Sequence, residues 1–94
     1  MDIQHKSGNT KGSFYIKEEK EIKAELTYSK AGTSQIIIDH TEVSDEFRGQ
    51  DVGRKLVEHA VDYARKNKLK LIPLCPFTKS IIERDESLQD VLKK

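Results

Sequence analysis

The sequence predicts an α+β domain with a mixed sheet: antiparallel strands come first, then a strand–helix–strand unit with parallel strands. Three observations predict it. From Ile22 to Ser29 apolar and polar residues alternate, the period-two pattern of an antiparallel strand with one wet face. Ile36-Ile37-Ile38 is apolar at successive positions, as expected of a central strand covered on both faces. From Asp51 to Asn67 apolar residues recur at three- and four-residue spacing, the pattern of a helix packed on a sheet.

The elements follow in order. Asp2 to His5 reads as a short edge strand and Ser13 to Lys17 as the next, closed by the polar turn Glu18-Glu19-Lys20-Glu21. In the third strand Ile22, Ala24, Leu26 and Tyr28 share one face, and Lys23, Glu25, Thr27 and Ser29 the other. Lys30-Ala31-Gly32-Thr33 is a hairpin turn, and Gln35 to Val43 is the fourth strand. On the helix Val52, Leu56, Ala60 and Tyr63 form a ridge, widened by Gly53, Val57 and Ala64. Leu69 to Cys75 is the fifth strand, expected parallel to the fourth through a right-handed crossover. Pro76 suits the first turn of a short helix ending near Arg84, and an amphipathic turn from Ser87 to Leu92 closes the chain.

Residues 1–94 are expected to form one small domain. The chain is 35% apolar and 35% charged, which leaves a thin core. It has no apolar run of about 18 residues, so no membrane span is expected, and MDIQHKSGNTKG lacks the apolar core of a signal peptide. A single cysteine forms no internal disulfide and suits a reducing cytoplasm. The net charge is +1, with both signs interspersed. No basic patch stands out, and the aromatics are not interleaved with basic residues, so no nucleic-acid partner is expected.

Arg48-Gly49-Gln50-Asp51-Val52-Gly53 lies between a strand and the long helix. A helix N-terminus exposes unpaired N–H groups and binds anions. Gly49 lets the backbone bend close to a ligand, Gly53 leaves room against the first turn, and Arg48 and Arg54 are cations suited to phosphate oxygens. The plainer reading is that one glycine turns the chain and the other packs. Asp51 puts a negative charge in this loop. Aspartate tolerates left-handed backbone and favours helix starts, so its side chain is expected to turn outward and cap the helix.

Cys75 ends a strand just before Pro76, near a helix N-terminus that lowers a thiol pKa. It reads either as a nucleophile or as a small buried hydrophobe. His40 lies near the C-terminal end of the preceding parallel strand, where open α/β sheets bind ligands, and could deprotonate a thiol or an amine. Simple alternation puts it on the face of Ile36 and Ile38, and a bulge would reverse that. His5 and His59 are expected at the surface. His40, Glu42 and Cys75 lack zinc-ligand spacing, so no metal is expected.

The loop, followed by Arg54-Lys55-Leu56-Val57, resembles the acetyl-CoA pyrophosphate loop of the GNAT N-acetyltransferase superfamily: Gln or Arg, two residues, Gly, one residue, then Gly or Ala. Arg48 and Gly53 match its ends, and Asp51 replaces the inner glycine. Asp39-His40-Thr41-Glu42-Val43 and Leu71-Ile72-Pro73-Leu74-Cys75-Pro76-Phe77 extend the resemblance to a subfamily of small single-domain proteins, over about Ile3 to Leu92.

The resemblance implies a GNAT-like fold whose parallel strands splay around the pantetheine arm. Pro73 fits, because a proline costs no ladder bond where strands part, though an edge strand would also accept it. It implies acetyl-CoA as cosubstrate, held by Arg48, Gly49, Gln50, Asp51, Val52, Gly53 and Arg54, with the backbone of Thr41, Glu42 and Val43 pairing with pantetheine amides. Phe77 would pack on the cofactor arm or belong to the core, and Lys79 would meet a phosphate or stay solvated. Glu42 competes with His40 as the base. Set beside ordinary members of that superfamily, the chain is expected to lack room for the helix pair that usually follows the first strand and for the C-terminal strands that usually help form an acceptor pocket.

The expected function is therefore transfer of acetyl from acetyl-CoA to an amine of unknown identity, on a small molecule or a protein. Transfer would run through acetylated Cys75 or by direct attack. A second reading is a non-catalytic CoA-binding or sensing module, and a third is an interaction domain without a ligand.

Overall fold

One five-stranded sheet carries the fold, in the order β1-β2-β3-β4-β5: β1 (Gln4–Ser7), β2 (Lys11–Glu18), β3 (Glu21–Ala31), β4 (Gln35–Val43) and β5 (Lys70–Pro73). The computed structural model describes residues 2–47 and 49–93. The first four strands pair antiparallel, and β4 pairs parallel with β5. Helix α1 (Val52–Lys66) crosses between β4 and β5, α2 (Pro76–Glu83) follows β5, and 3₁₀ turns lie at Asp45–Phe47 and Glu86–Val91.

The hairpin between β2 and β3 turns on Glu19 and Lys20, both left-handed at φ 49° and 69°. That two-residue geometry matches the twist of the flanking strands. Strand β4 spans the residues its pattern predicts. Strand β1 starts two residues later than the predicted Asp2, and β2 is longer than the predicted Ser13–Lys17 at both ends.

The core lies on one face of the sheet. Phe14, Ile16, Ala24, Leu26, Tyr28, Ile36, Ile38 and Leu71 meet Val52, Leu56, Val57, Ala60, Val61 and Ala64 of α1. Truncating one of these, such as Leu56 to alanine, is expected to cost about 2–5 kcal/mol. Two expectations fail here. Strand β4 is central but covered on one face only: Ile36 and Ile38 are buried, whereas Ile37 is half-buried on the uncovered face. Ile22 does not share the face of Ala24. A bulge at Lys23 gives β3 an extra residue, pairing Lys17 with Ile22, and Ile22 is left 47% exposed.

Among the described residues, no helix is long and apolar enough to cross a membrane.

Candidate active site

Strands β4 and β5 pair only over Gln35–Ile38 and Lys70–Pro73. The Ile38 carbonyl accepts the last bonds, from the N–H of Leu74 at 3.2 Å and of Cys75 at 3.1 Å. Beyond that point β4 runs on to Val43 while the other chain turns into α2. A slot therefore opens between the strands. Pro73 is the last paired residue of β5, on the edge strand of the sheet and where the strands part.

A bulge decides which side chains face the slot from within. Tyr28 pairs with Ile38 and Thr27 with His40, so Asp39 is the extra residue. After it Thr41 and Val43 lie opposite the buried Leu26 and Ala24, while His40 and Glu42 lie opposite Thr27 and Glu25 on the uncovered face. This overturns the simple alternation that grouped His40 with Ile36 and Ile38. His40 Nε2 and Glu42 Oε1 are 2.9 Å apart, with side chains 63% and 78% exposed.

Cys75 sits on the inner side. It immediately precedes Pro76, the first residue of α2, in extended conformation, φ −70° and ψ 120°, and is buried. Its thiol donates to Thr41 Oγ1 at 3.6 Å, and Thr41 Oγ1 lies 3.3 Å from Thr78 Oγ1. Burial pushes the thiol pKa up. Once the proton has left, hydrogen bonds to the thiolate from the Thr78 and Phe77 N–H groups and from the Thr41 and Thr78 hydroxyls outweigh burial and hold the pKa below the ordinary thiol value. Thr41 and Cys75 are thus brought together, whereas His40 and Glu42 stand across β4 from the thiol.

The loop before α1 has the backbone an anion cradle needs. Gly49 is at φ 82°, a region glycine enters at no steric cost. Asp51 precedes the helix in the left-handed region, φ 54° and ψ 30°, and its side chain makes no capping bond. The left-handed expectation holds and the capping expectation fails. Lys55 N–H bonds to Asp51 O at 3.0 Å, so helical geometry leaves the N–H groups of Val52, Gly53 and Arg54 without intrahelical acceptors. Arg48 lies outside the described residues. Gln50 is exposed and its Nε2 donates to Glu46 O at 3.4 Å.

The remaining expected ligand-binders divide. Val52 is buried in the core. Arg54 is bonded to Asp85 and lies 3.3 Å from Glu58, so it does not stand as an unpaired cation. Phe77 is 45% exposed and its ring lies against Gly53. Lys79 is exposed on α2. A cleft of about 400 Å³ runs past Val43, Gly49, Gly53, Arg54, Phe77 and Ile81. A glycine at positive φ, helix N–H groups without intrahelical acceptors and an open edge of β4 leading to the thiol suit a phosphate-ended thioester. Thr78 and Asp85, which condition Cys75 and Arg54, were not expected, because hydroxyl and carboxylate residues so far along the chain carry no motif.

Residues 13–91 match the family described as GCN5-related N-acetyl-transferase. Protein NATD1 of Xenopus tropicalis is 29% identical over 63 residues, covering 67% of this chain and 58% of that protein. The chain thus matches less than two thirds of that relative's length. A GCN5-like protein of Staphylococcus aureus, solved by NMR in solution, is 45% identical, with a TM-score of 0.74 over 96% of this chain and 87% of that one. The ribosomal-protein-S18-alanine N-acetyltransferase of Escherichia coli shares the fold, with a TM-score of 0.66 at 17% identity over 83% of this chain and 53% of that one.

Proposed function

Because the chain belongs to the GCN5-related N-acetyltransferase family, we propose that it transfers acetyl from acetyl-CoA to an amine, with Cys75 carrying the group between them. The observation that carries this reading is the thiol itself: it sits at the start of α2, on the slot, with its pKa held below the ordinary value. The Escherichia coli ribosomal-protein-S18-alanine N-acetyltransferase, which shares the fold, acts on an alanine amine. A lone cysteine kept as a thiol suits a reducing cytoplasm, the proposed location.

Acetyl-CoA is a cosubstrate here and supplies an activated acetyl thioester. The backbone N–H groups of Gly49 to Arg54 would receive its pyrophosphate, and the free edge of β4 at Thr41 to Val43 would pair with pantetheine amides. Phe77 would pack along the arm. Lys79, exposed on the same helix, would meet an outer phosphate, as would Arg48. Arg54, tied to Asp85, would instead brace the loop.

Cys75 acts as thiolate on the thioester carbonyl carbon: a new C–S bond forms to Cys75, and the bond to CoA breaks, releasing CoA thiolate. An acceptor amine then attacks acetyl-Cys75. The C–N bond forms, the C–S bond breaks and the Cys75 thiolate returns. His40, steadied by Glu42 at 2.9 Å, would take the amine's proton from the uncovered face.

One observation favours the second reading, a CoA-binding module without transfer: His40 and Glu42 lie across β4 from Cys75, so neither activates the thiol directly. Consumption of acetyl-CoA with a panel of amines, measured above background hydrolysis, separates the two. Amine-dependent loss supports transfer. Saturable CoA binding without amine-dependent loss supports the module.

A further inference from the structure

The uncovered face of the sheet holds a cavity that the transfer reading leaves unused. It is an open groove of about 630 Å³ between β1 and β4, with Ser13, Thr27, Ser29 and Asp39 among its lining residues. Ser13 is 2% exposed, and its Oγ has no hydrogen-bond partner among the described residues. A buried hydroxyl left unpaired is a cost that a bound polar group would remove. Ser29 Oγ donates to Asp39 at 2.6 Å, which fixes that carboxylate at the bulge beside His40.

Charge on this face is segregated. Glu25 lines the cavity and stands directly opposite Glu42, a like-charge pairing that destabilises a sheet. Among the described residues neither Glu25 nor Asp39 has a cationic side chain in ion-pair contact. At the other end Lys6 and Lys11 line the same cavity, and Lys6 Nζ stands 5.2 Å from the Tyr15 ring centre. The acidic end is the one beside His40, because Thr27 pairs with His40 and Asp39 precedes it.

We propose that this cavity is the acceptor site, and that it takes a small zwitterionic amine of the amino-acid or dipeptide class. Glu25 and Asp39 hold the ammonium toward His40 and the slot, Lys6 and Lys11 hold the carboxylate, and Ser13 Oγ bonds a polar atom between them. The role rests on the transfer reading above, whereas the binding does not.

Amide NMR titration of the intact protein tests it with three probes: glycylglycine, its N-acetyl form and its C-terminal amide. Glycylglycine is expected to shift Ser13, Thr27, Ser29 and Asp39. Removing the ammonium by N-acetylation should weaken binding at least tenfold, and removing the carboxylate at least threefold. Glu25→Gln should weaken glycylglycine at least fivefold, and Lys6→Ala with Lys11→Ala should do the same. A CoA titration of the same samples reads Gly49 to Arg54 separately. If CoA shifts those amides and glycylglycine leaves the cavity still, or if all three probes bind alike, the acceptor site is overturned and CoA binding stands. If glycylglycine binds as expected and CoA does not, the cavity stands and the transfer reading falls.

Discussion

The ring of Phe77 occupies the space that a side chain at position 53 would need: a β-carbon added to Gly53 would overlap it. Alanine is favoured over glycine in a helix by about 0.5–1 kcal/mol. The Phe77 ring is half-exposed and can swing aside. Gly53→Ala is therefore expected to keep the fold, with a Tm within about 5 °C of the parent. The displaced ring, however, leaves its place along the CoA arm, so CoA should bind roughly tenfold more weakly, or by about 1.4 kcal/mol. Thermal melts and a CoA titration check both halves. Unchanged CoA affinity would reduce Gly53 to a seat for Phe77.

Asp51 holds a left-handed conformation without capping the helix. Asp51→Gly gives up no capping bond, relieves the positive φ, and forfeits a favourable charge at the helix N-terminus worth about 0.3–1 kcal/mol. The net effect on stability should stay within about 1 kcal/mol. Removing a charge near the pyrophosphate should tighten CoA several-fold, more at low salt than at high. Unchanged or weaker binding across a salt series would contradict this role for the aspartate.

The Cys75 thiol is held below its ordinary pKa against the opposing effect of burial. Its alkylation by iodoacetamide should follow a pH profile with a midpoint below that of a short unstructured peptide containing Leu-Cys-Pro. Thr41→Val and Thr78→Val each remove a hydroxyl that stabilises the thiolate and should move the midpoint up. The linked stability has the matching sign: a depressed folded pKa favours the charged form, so this contribution is present above the unfolded thiol pKa and is lost as pH falls through the folded one.

His5 offers a separate pH test, remote from the thiol. Its ring stacks on Phe14 with centroids 4.2 Å apart, and Nε2 lies 2.7 Å from the Tyr28 hydroxyl. Burial first, and the Lys30 charge second, hold its pKa below 6.5. Its neutral form is the one the fold prefers. That stability is present above pH 6.5 and lost as pH falls through the folded value. His5→Phe keeps a ring in the stack and removes the titration. The Tm difference between parent and variant should narrow or reverse as pH drops below 6.5. A difference independent of pH would show that His5 does not titrate with folding.

The sheet and the long helix were legible because each rests on a local period. Gln35 to Val43 forms the predicted strand, and Asp51 to Asn67 holds α1, Val52–Lys66, with its two end residues flanking the helix. What escaped was set by single extra residues and by distant partners. The extra residues Lys23 and Asp39 reverse the faces of Ile22, His40 and Glu42, and nothing in the composition of those strands marks a bulge. The pairing of Arg54 with Asp85 spans 31 positions, and Thr41 meets Thr78 across 37. His5 was expected at the surface and lies at an exposed edge, yet its ring joins Phe14, Tyr28 and Tyr63. The loop was legible in kind, with Gly49 and Asp51 both at positive φ. The failure of Asp51 to cap was not, because it depends on where the carboxylate points.

Intact-mass analysis tests the central claim most directly. The protein and its Cys75→Ser variant are incubated with acetyl-CoA alone, then chased with an amine that supports turnover. The account predicts that the parent gains the mass of one acetyl group at Cys75, that the amine removes it as fast as turnover proceeds, and that the variant neither gains it nor turns over at the parent's rate. A Cys75→Ser protein that acetylates the amine at the parent's rate would contradict the covalent route.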